Sequence, residues 1–284
     1  MKKVVWGVLS TAKIAREKVI PAMQRSPMCE VRAIASRTLE AAQKVAASLC
    51  IPRAYGSYHE LLEDGEIEAI YNPLPNHLHV PLTIQAVEAG KHVLFEKPAA
   101  LDALEAEKLR ALNPDVLMME AFMVRFHPQW LRAQELIRSG RIGELRAIQV
   151  FFSYFNTDPQ NTRNQAHIGG GARYDIGCYA IVAGRFFFDS EPHRVMALVD
   201  RDPIFRTDRT TSGLLDFGEG RQLAFTVSTQ CVPYQRIQIC GTQGRIEIQI
   251  PFNAPQGGET RLHLDDGSTL DGSHIHTEII PPCD

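Results

Sequence analysis

The 284-residue chain has no apolar run approaching the roughly 18 residues that a membrane-spanning helix needs, so no membrane partner is expected. It has no C-x-x-C pair. The six cysteines (Cys29, Cys50, Cys178, Cys231, Cys240, Cys283) are scattered, which argues against a disulfide framework and reads as reduced thiols in a cytoplasmic protein. No sign of charge dominates: 30 basic against 33 acidic side chains give a net charge of −3, which excludes the basic footprint of a nucleic-acid binder. The first residues run directly into a strand-like segment and do not read as a signal peptide. There is no internal repeat and no low-complexity tract, and 44% hydrophobic residues make a globular chain long enough for two domains.

What is present is an alternation of two periodicities over the first 120 or so residues. Val4–Leu9, Val31–Ala35, Ala69–Tyr71, His92–Phe95 and Val116–Met119 read as short strands. Lys13–Arg25, Leu39–Leu49, Tyr58–Glu63, Leu78–Ala89 and Leu104–Leu112 read as helices; Pro21 suggests a kink or early end in the first, and Gly90 stops the fourth. Repeated β-α units with short connections imply a doubly wound parallel sheet. After Phe122 the pattern changes. One amphipathic helix, Pro128–Ser139, precedes β-like runs at Leu145–Phe155, Val195–Asp200, Ser212–Phe217, Gln222–Thr229, Arg236–Ile239, Arg245–Ile250 and Thr260–Leu264. The expected class is therefore α/β, with a Rossmann-type domain over 1–122 and a second α/β domain over 123–284 built on an open, mostly antiparallel sheet.

In doubly wound sheets ligands bind beyond the carboxyl ends of the strands. That rule marks Ser10, Thr11, Ala12 and Ile14; Ser36 and Arg37; Asn72, Pro73, Leu74, Asn76 and His77; and Glu96 and Lys97. The first stretch stands where a dinucleotide fingerprint G-x-G-x-x-G/A would be, but reads Ser10-x-Ala12-x-x-Ala15. Hydroxyls on Ser10 and Thr11, with the positive end of the following helix, can still receive a pyrophosphate. An ordinary strand-to-helix turn explains the stretch equally well. The second strand ends Ala35-Ser36-Arg37-Thr38, without the carboxylate that would bind a ribose 2′-hydroxyl. A cation beside small hydroxyl residues suits a 2′-phosphate, which favours NADP(H) over NAD(H).

Asn76 is a candidate N-cap, and His77 with His79 forms an H-x-H pair whose lack of further ligands makes a metal site a poor reading. In Glu96-Lys97-Pro98 the proline biases Lys97 toward an extended backbone. The ammonium could hold a substrate hydroxyl, although a lysine after a strand is usually solvated. In Asp175-Ile-Gly-Cys-Tyr179 the spacing of four puts a carboxylate and a phenol on one helix face. A nearby ammonium would favour the phenolate and make Tyr179 a general base toward an alcohol. By local sequence alone, a capping aspartate and a core tyrosine are the plainer reading.

Taken in order, Gly7–Ala15, Ala35-Ser36-Arg37, Asn72–His77, Glu96-Lys97-Pro98, Glu120–Pro128, Gly169–Tyr179 and Gly241–Glu247 resemble the glucose-fructose oxidoreductase / inositol dehydrogenase / rhizopine catabolism (Gfo/Idh/MocA) family, over nearly the whole chain. The resemblance implies that Lys97, Asp175 and Tyr179 line a hydride-transfer site and that Arg125 and Arg163 face cofactor or substrate. A tyrosine at 179 is similar to the branch of glucose-fructose oxidoreductase, dimeric trans-dihydrodiol dehydrogenases and NADP-dependent xylose dehydrogenases, which favours NADP(H). It implies a small polyhydroxy substrate (sugar, polyol or cyclic trans-diol) and a homo-oligomer, dimer or tetramer. The chain departs from the pattern at Ser10 and Ala12, in the short Leu112-Asn113-Pro114 connection, and at Cys283-Asp284, where relatives continue with a helix. A non-catalytic NADP(H)-binding sensor and an inactive paralogue are the rival readings.

Overall fold

Val4–Leu9 forms β1, a strand whose Val8 and Leu9 are both fully buried, one on each face of a sheet. The computed structural model describes residues 2–283, and the chain divides into two units, Met1–Phe122 and Met123–Asp284. In the first unit β1 is joined by β2 (Cys29–Ala35), β3 (Arg53–Tyr55), β4 (Ala69–Asn72), β5 (His92–Phe95) and β6 (Met118–Glu120). All pair in parallel, in the order β3-β2-β1-β4-β5-β6, so the winding reverses between β1 and β4. One core cluster joins Val8, Ile34 and Tyr71 to Ala15, Ile20 and Val45; another joins Leu9, Ala33 and Ile70 to Leu61, Leu82 and Ala86. Burial on both faces is why these strands read as continuous apolar runs. Gly7 sits under this packing: a Cβ there would lie 2.7 Å from Leu61 Cδ2.

The first unit's helices are α1 (Ile20–Arg25), α2 (Leu39–Ser48), α3 (Tyr58–Leu62), α4 (His79–Glu88) and α5 (Ala103–Arg110). Two local expectations are corrected. The segment Lys13–Arg25 is not one α-helix: a π-helical stretch, Ala15–Val19, precedes α1, and Pro21 falls in the first turn of α1. There its missing N–H costs nothing, because first-turn donors have no partner within the helix. Asn76 is not the N-cap of the following α-helix. It opens a 3₁₀ turn, Asn76–Leu78, closed by Leu78 N–H on Pro75 O at 2.8 Å, and α4 begins only at His79. Gly90 ends α4 at φ +74°, as its position predicts.

The second unit contains α6 (Pro128–Arg138), α7 (Cys178–Phe188) and β7 (Leu145–Phe155), β8 (Arg194–Arg201), β9 (Asp208–Asp216), β10 (Gln222–Ser228), β11 (Gln230–Gly241), β12 (Arg245–Ile248), β13 (Thr260–Asp265) and β14 (His276–Ile280). They form one sheet ordered β14-β13-β12-β11-β7-β10-β9-β8, antiparallel except for β7 with β10. β11 is longer than its sequence pattern, because the ladder loses register between Gln230 and Tyr234, around Pro233, and then resumes. One face buries Ile148, Val150, Phe152, Leu223, Ile237 and Ile246. Trp130 of α6 is fully buried, stacks on Phe187 of α7 and donates its indole N–H to Pro251 O at 2.9 Å. On the opposite face Met196, Leu198 and Leu214 are exposed at 72, 80 and 43%.

The edge strand β14 is tied to α6 by a two-pronged pair, Arg132 Nε and one terminal nitrogen donating to the two Glu278 oxygens at 2.8 and 3.0 Å. These bonds hold the Glu278 carboxyl below its ordinary range. A depressed folded-state pKa gives stability that is present above the unfolded value and is lost as pH falls through that range. The stability advantage of the native chain over Glu278→Gln should therefore shrink by about 1 kcal/mol between about pH 6 and pH 3. Urea unfolding at the two pH values measures it.

Candidate active site

In the first unit four strands each hand the next N–H to the end of a neighbouring strand. Ser10 N–H donates to Ala35 O at 2.8 Å, Ser36 N–H to Tyr55 O at 3.2 Å, Glu96 N–H to Asn72 O at 3.0 Å and Ala121 N–H to Phe95 O at 2.8 Å. The loops after β1, β2, β5 and β6 are thus pinned at the carboxyl edge of one sheet, and Asn72 at the end of β4 accepts one of these bonds.

Ser10 occupies left-handed backbone, φ +96°, the conformation the missing glycine would have taken freely. A serine there costs on the order of 1 kcal/mol. Its hydroxyl accepts from Ala12 N–H at 3.1 Å, which partly offsets that cost and tightens the turn. Thr11 O accepts from Arg16 Nε at 3.0 Å. Thr11 and Ala12 are half-buried, and Ile14 is 38% exposed. At the end of β2, Ser36 is buried and Arg37 exposed, its charge reaching the Tyr58 phenol. Thr38 caps α2 by accepting from Ala41 N–H at 3.3 Å.

The loop after β4 is organised by Asn72, which is fully buried. Its Oδ1 accepts from Leu74 N–H at 3.3 Å and its amide donates to His79 O at 3.2 Å. Pro73 and Leu74 are buried with it, while Asn76 and His77 are half-exposed. The His77 Nδ1 is buried with no hydrogen-bond partner. Lys97, half-buried, follows β5, and its peptide bond to Pro98 is cis. Its backbone N–H points to Glu96 Oε2 at 3.4 Å, and Glu96 Oε1 accepts from the Tyr71 hydroxyl at 2.7 Å. Ala99 N–H donates to Glu120 Oε1 at 2.7 Å, fixing the far side of the turn.

The second unit brings Asp175, Arg163 and Tyr179 together. Asp175 Oδ2 accepts from Arg163 Nε at 2.8 Å and from the Tyr154 hydroxyl at 2.6 Å. Burial and the Asp175 charge push the Tyr154 phenol far above its ordinary range, so it stays a donor. The Asp175 charge likewise holds the Arg163 guanidinium protonated, and the Tyr179 phenol lies within its electrostatic reach. Tyr179 is 8% exposed, with Phe152 and Phe252 ring centroids at 6.0 and 5.4 Å. Arg125 lies in a 3₁₀ turn, Met123–Phe126, and is exposed. Tyr154 was not marked by the sequence. Its only signal is its place near the carboxyl end of β7, out of step with the polar positions of that strand.

Asp175 does not sit on a regular α-helix. Arg173–Gly177 is π-helical and passes into α7 at Cys178, a distortion found often at functional sites. The preceding glycines explain how the segment is placed. A Cβ on Gly170 would lie within 2.8 Å of three carbonyl oxygens, those of Thr162, Arg163 and Gln165. Gly171, at φ +124°, would place a Cβ 2.1 Å from Asp208 Oδ1. Asp208, itself buried, accepts from Arg173 N–H at 2.6 Å and from the Thr211 hydroxyl at 2.8 Å, so β9 supplies the anion at the start of this helix.

Residues 4–115 match the model of an oxidoreductase family with an NAD-binding Rossmann fold (GFO/IDH/MocA), and residues 130–247 match the GFO/IDH/MocA C-terminal domain. An uncharacterized oxidoreductase of Rhizobium meliloti is 48% identical over 100% of this chain and 86% of its own length. The D-xylose 1-dehydrogenase (NADP(+)) 2 of Haloferax volcanii is 37% identical over 99% of this chain and 85% of its own. A solved 3-ketoreductase from Actinomadura kijaniata, in complex with NADP and TDP-benzene, superposes with a TM-score of 0.90 at 29% identity, covering 99% of this chain and 85% of that one.

Gly171→Ala should displace Asp208 and the first turn of the helix. We expect a loss of about 2 kcal/mol or more, read by urea unfolding, because both the positive φ and the collision oppose a side chain. Unchanged stability would show that Asp208 does not fix this turn.

Proposed function

The chain belongs to the GFO/IDH/MocA oxidoreductase family, and from that premise we propose that it is an NADP(H)-dependent enzyme moving a hydride between nicotinamide and a CH–OH carbon of a sugar, polyol or cyclic trans-diol. The observation that carries this reading is the survival of the chemical groups. Lys97 stands on a turn pinned at the carboxyl edge of the parallel sheet, and Asp175, Arg163 and Tyr179 form one connected group in the second unit. A non-catalytic sensor has no use for that set.

The residues present fit the cofactor. Small side chains and a helix start at Ser10–Ile14 leave room and donors for a pyrophosphate, and the orphaned His77 Nδ1 offers a polar contact in the loop after β4. The exposed Arg37 beside Ser36, with no carboxylate at the end of β2, favours a 2′-phosphate over a bare hydroxyl. The cofactor, when bound, supplies the hydride acceptor or donor. The chain's own part is positioning and proton handling. In the oxidation direction Tyr179 takes the proton of the substrate hydroxyl, and the positive charge of Arg163 favours the phenolate it needs. Asp175, held by Tyr154 and Arg163, keeps that arginine in place and accepts from a substrate hydroxyl on its remaining lone pairs. The relatives suggest the substrate class: one is named a xylose dehydrogenase and another a trans-1,2-dihydrobenzene-1,2-diol dehydrogenase. The six free thiols suit a cytoplasmic setting.

Lys97→Met should lower kcat by about 100-fold or more, within the range a positioned acid–base group contributes. NADPH binding, followed by fluorescence titration, should persist. Turnover equal to the native chain would remove Lys97 from the mechanism.

The exposed apolar face of the second sheet favours self-association, because Met196, Leu198 and Leu214 stand together on it. The native chain should sediment as a dimer or tetramer, and Leu198→Asp as a smaller species. A native monomer at micromolar concentration would contradict this.

A further inference from the structure

Of the ten histidines, His79 is the one the structure buries, at 1% exposure. It opens α4, and neither of its ring nitrogens faces solvent or another side chain. Nδ1 lies 2.8 Å from Pro98 O and Nε2 lies 2.7 Å from Leu74 O. One carbonyl belongs to the loop after β4. The other belongs to the turn after β5, one residue beyond Lys97.

Both partners are carbonyl oxygens, which only accept. A neutral imidazole carries one N–H, and its second nitrogen presents a lone pair. A neutral ring would therefore bond one carbonyl and set a lone pair against the other at hydrogen-bond distance, in a site closed to water. An imidazolium satisfies both. We propose that His79 donates from both ring nitrogens as an imidazolium and thereby clamps the Lys97–Pro98 turn to the loop after β4, acting as a positioning residue for Lys97.

The charges facing the ring are those of Glu96 and Lys97. Burial is the largest influence and holds the imidazole below its ordinary value, with the Lys97 ammonium acting the same way; the two carbonyls and the Glu96 carboxylate oppose this without reversing it. The burial penalty falls on the cation, but the neutral ring pays in a different way: it leaves one buried carbonyl facing a lone pair, and the observed pair of short contacts is then unexplained. Glu96 is held in place as the counter-charge by the Tyr71 hydroxyl at 2.7 Å. Asn72 closes the arrangement by donating to His79 O at 3.2 Å. The pair His77 and His79, whose spacing first suggests metal ligands, is thus split: the second ring is spent on two backbone carbonyls. Among the described residues no cluster of three or more metal-ligating side chains occurs.

The consequence for Lys97 rests on the functional reading above; the proton count on His79 does not, and the experiment keeps them apart. Ring ¹⁵N spectra of the full chain labelled with ¹⁵N-histidine at pH 7 should show one histidine with both nitrogens protonated and slow to exchange with solvent. That signal should vanish in His79→Gln. If that variant does not accumulate, the slow exchange alone assigns the one buried ring. A bare, unprotonated nitrogen on the slowly exchanging ring overturns the clamp. In the functional arm, His79→Leu should lower kcat about tenfold. An unchanged kcat with the doubly protonated ring confirmed would overturn the positioning role alone, leaving the proton count standing. Absence of native turnover on any sugar or diol would count against the functional reading and not against the clamp.

Discussion

The chemistry of the first unit depends on a row of backbone hydrogen bonds that extend the parallel ladder one residue past each strand. Ser10, Ser36, Glu96 and Ala121 each donate to the last or nearly last carbonyl of the adjacent strand. The loops that follow cannot drift from the sheet edge without breaking a ladder bond. Side chains then fix each loop to the next: the Tyr71 hydroxyl on Glu96, the Asn72 amide on His79 O, the His79 ring on Leu74 O and Pro98 O. Lys97 inherits its position from this chain of contacts. Preorganisation of that kind is what a scaffold contributes when the cofactor carries the reactive carbon.

In the second unit the corresponding constraint is a pair of carboxylates, one at the start of a distorted turn and one within it. Asp208 of β9 holds the first N–H of the helix, and Asp175 within the π-helical stretch gathers Tyr154 and Arg163. Gly170 and Gly171 are required because the backbone of the neighbouring loop and the Asp208 carboxylate occupy the space any side chain would need. The wide turn occurs at Ala15–Val19, directly after the Ser10–Ile14 turn, and at Arg173–Gly177, which carries Asp175; it costs helical regularity and so marks places where placement outweighs propensity.

The alternation of strand and helix through residue 122, and the change to long β runs after it, was legible because burial on two faces and burial on one leave different hydrophobic periods. The strand ends located the loops, and the loops located Ser10, Arg37, Asn72 and Lys97. What could not be read is equally specific. β3 has three residues and β14 lies at a sheet edge, too short or too exposed to leave a pattern. The π-helical stretch Ala15–Val19 is made mostly of ordinary helix formers, so its wide turn leaves no mark in residue type. Tyr154 and Asp208 join the Asp175 group from strands remote in sequence, and no local spacing connects them. The positive φ of Ser10 is masked by its being serine. The two carbonyl partners of His79 come from separate loops that no local spacing connects.

The proposed function requires that an altered glycine fingerprint, Ser10-Thr11-Ala12, still serve NADP(H)-dependent hydride transfer. The most direct test is absorbance at 340 nm with NADP⁺ or NAD⁺ against a panel of aldoses and cyclic trans-diols, preceded by fluorescence titration with each reduced cofactor. NADPH should bind more tightly than NADH, and at least one member of the panel should be turned over. Failure to bind either cofactor would contradict the proposed function outright, and equal binding of both would contradict the role given to Arg37.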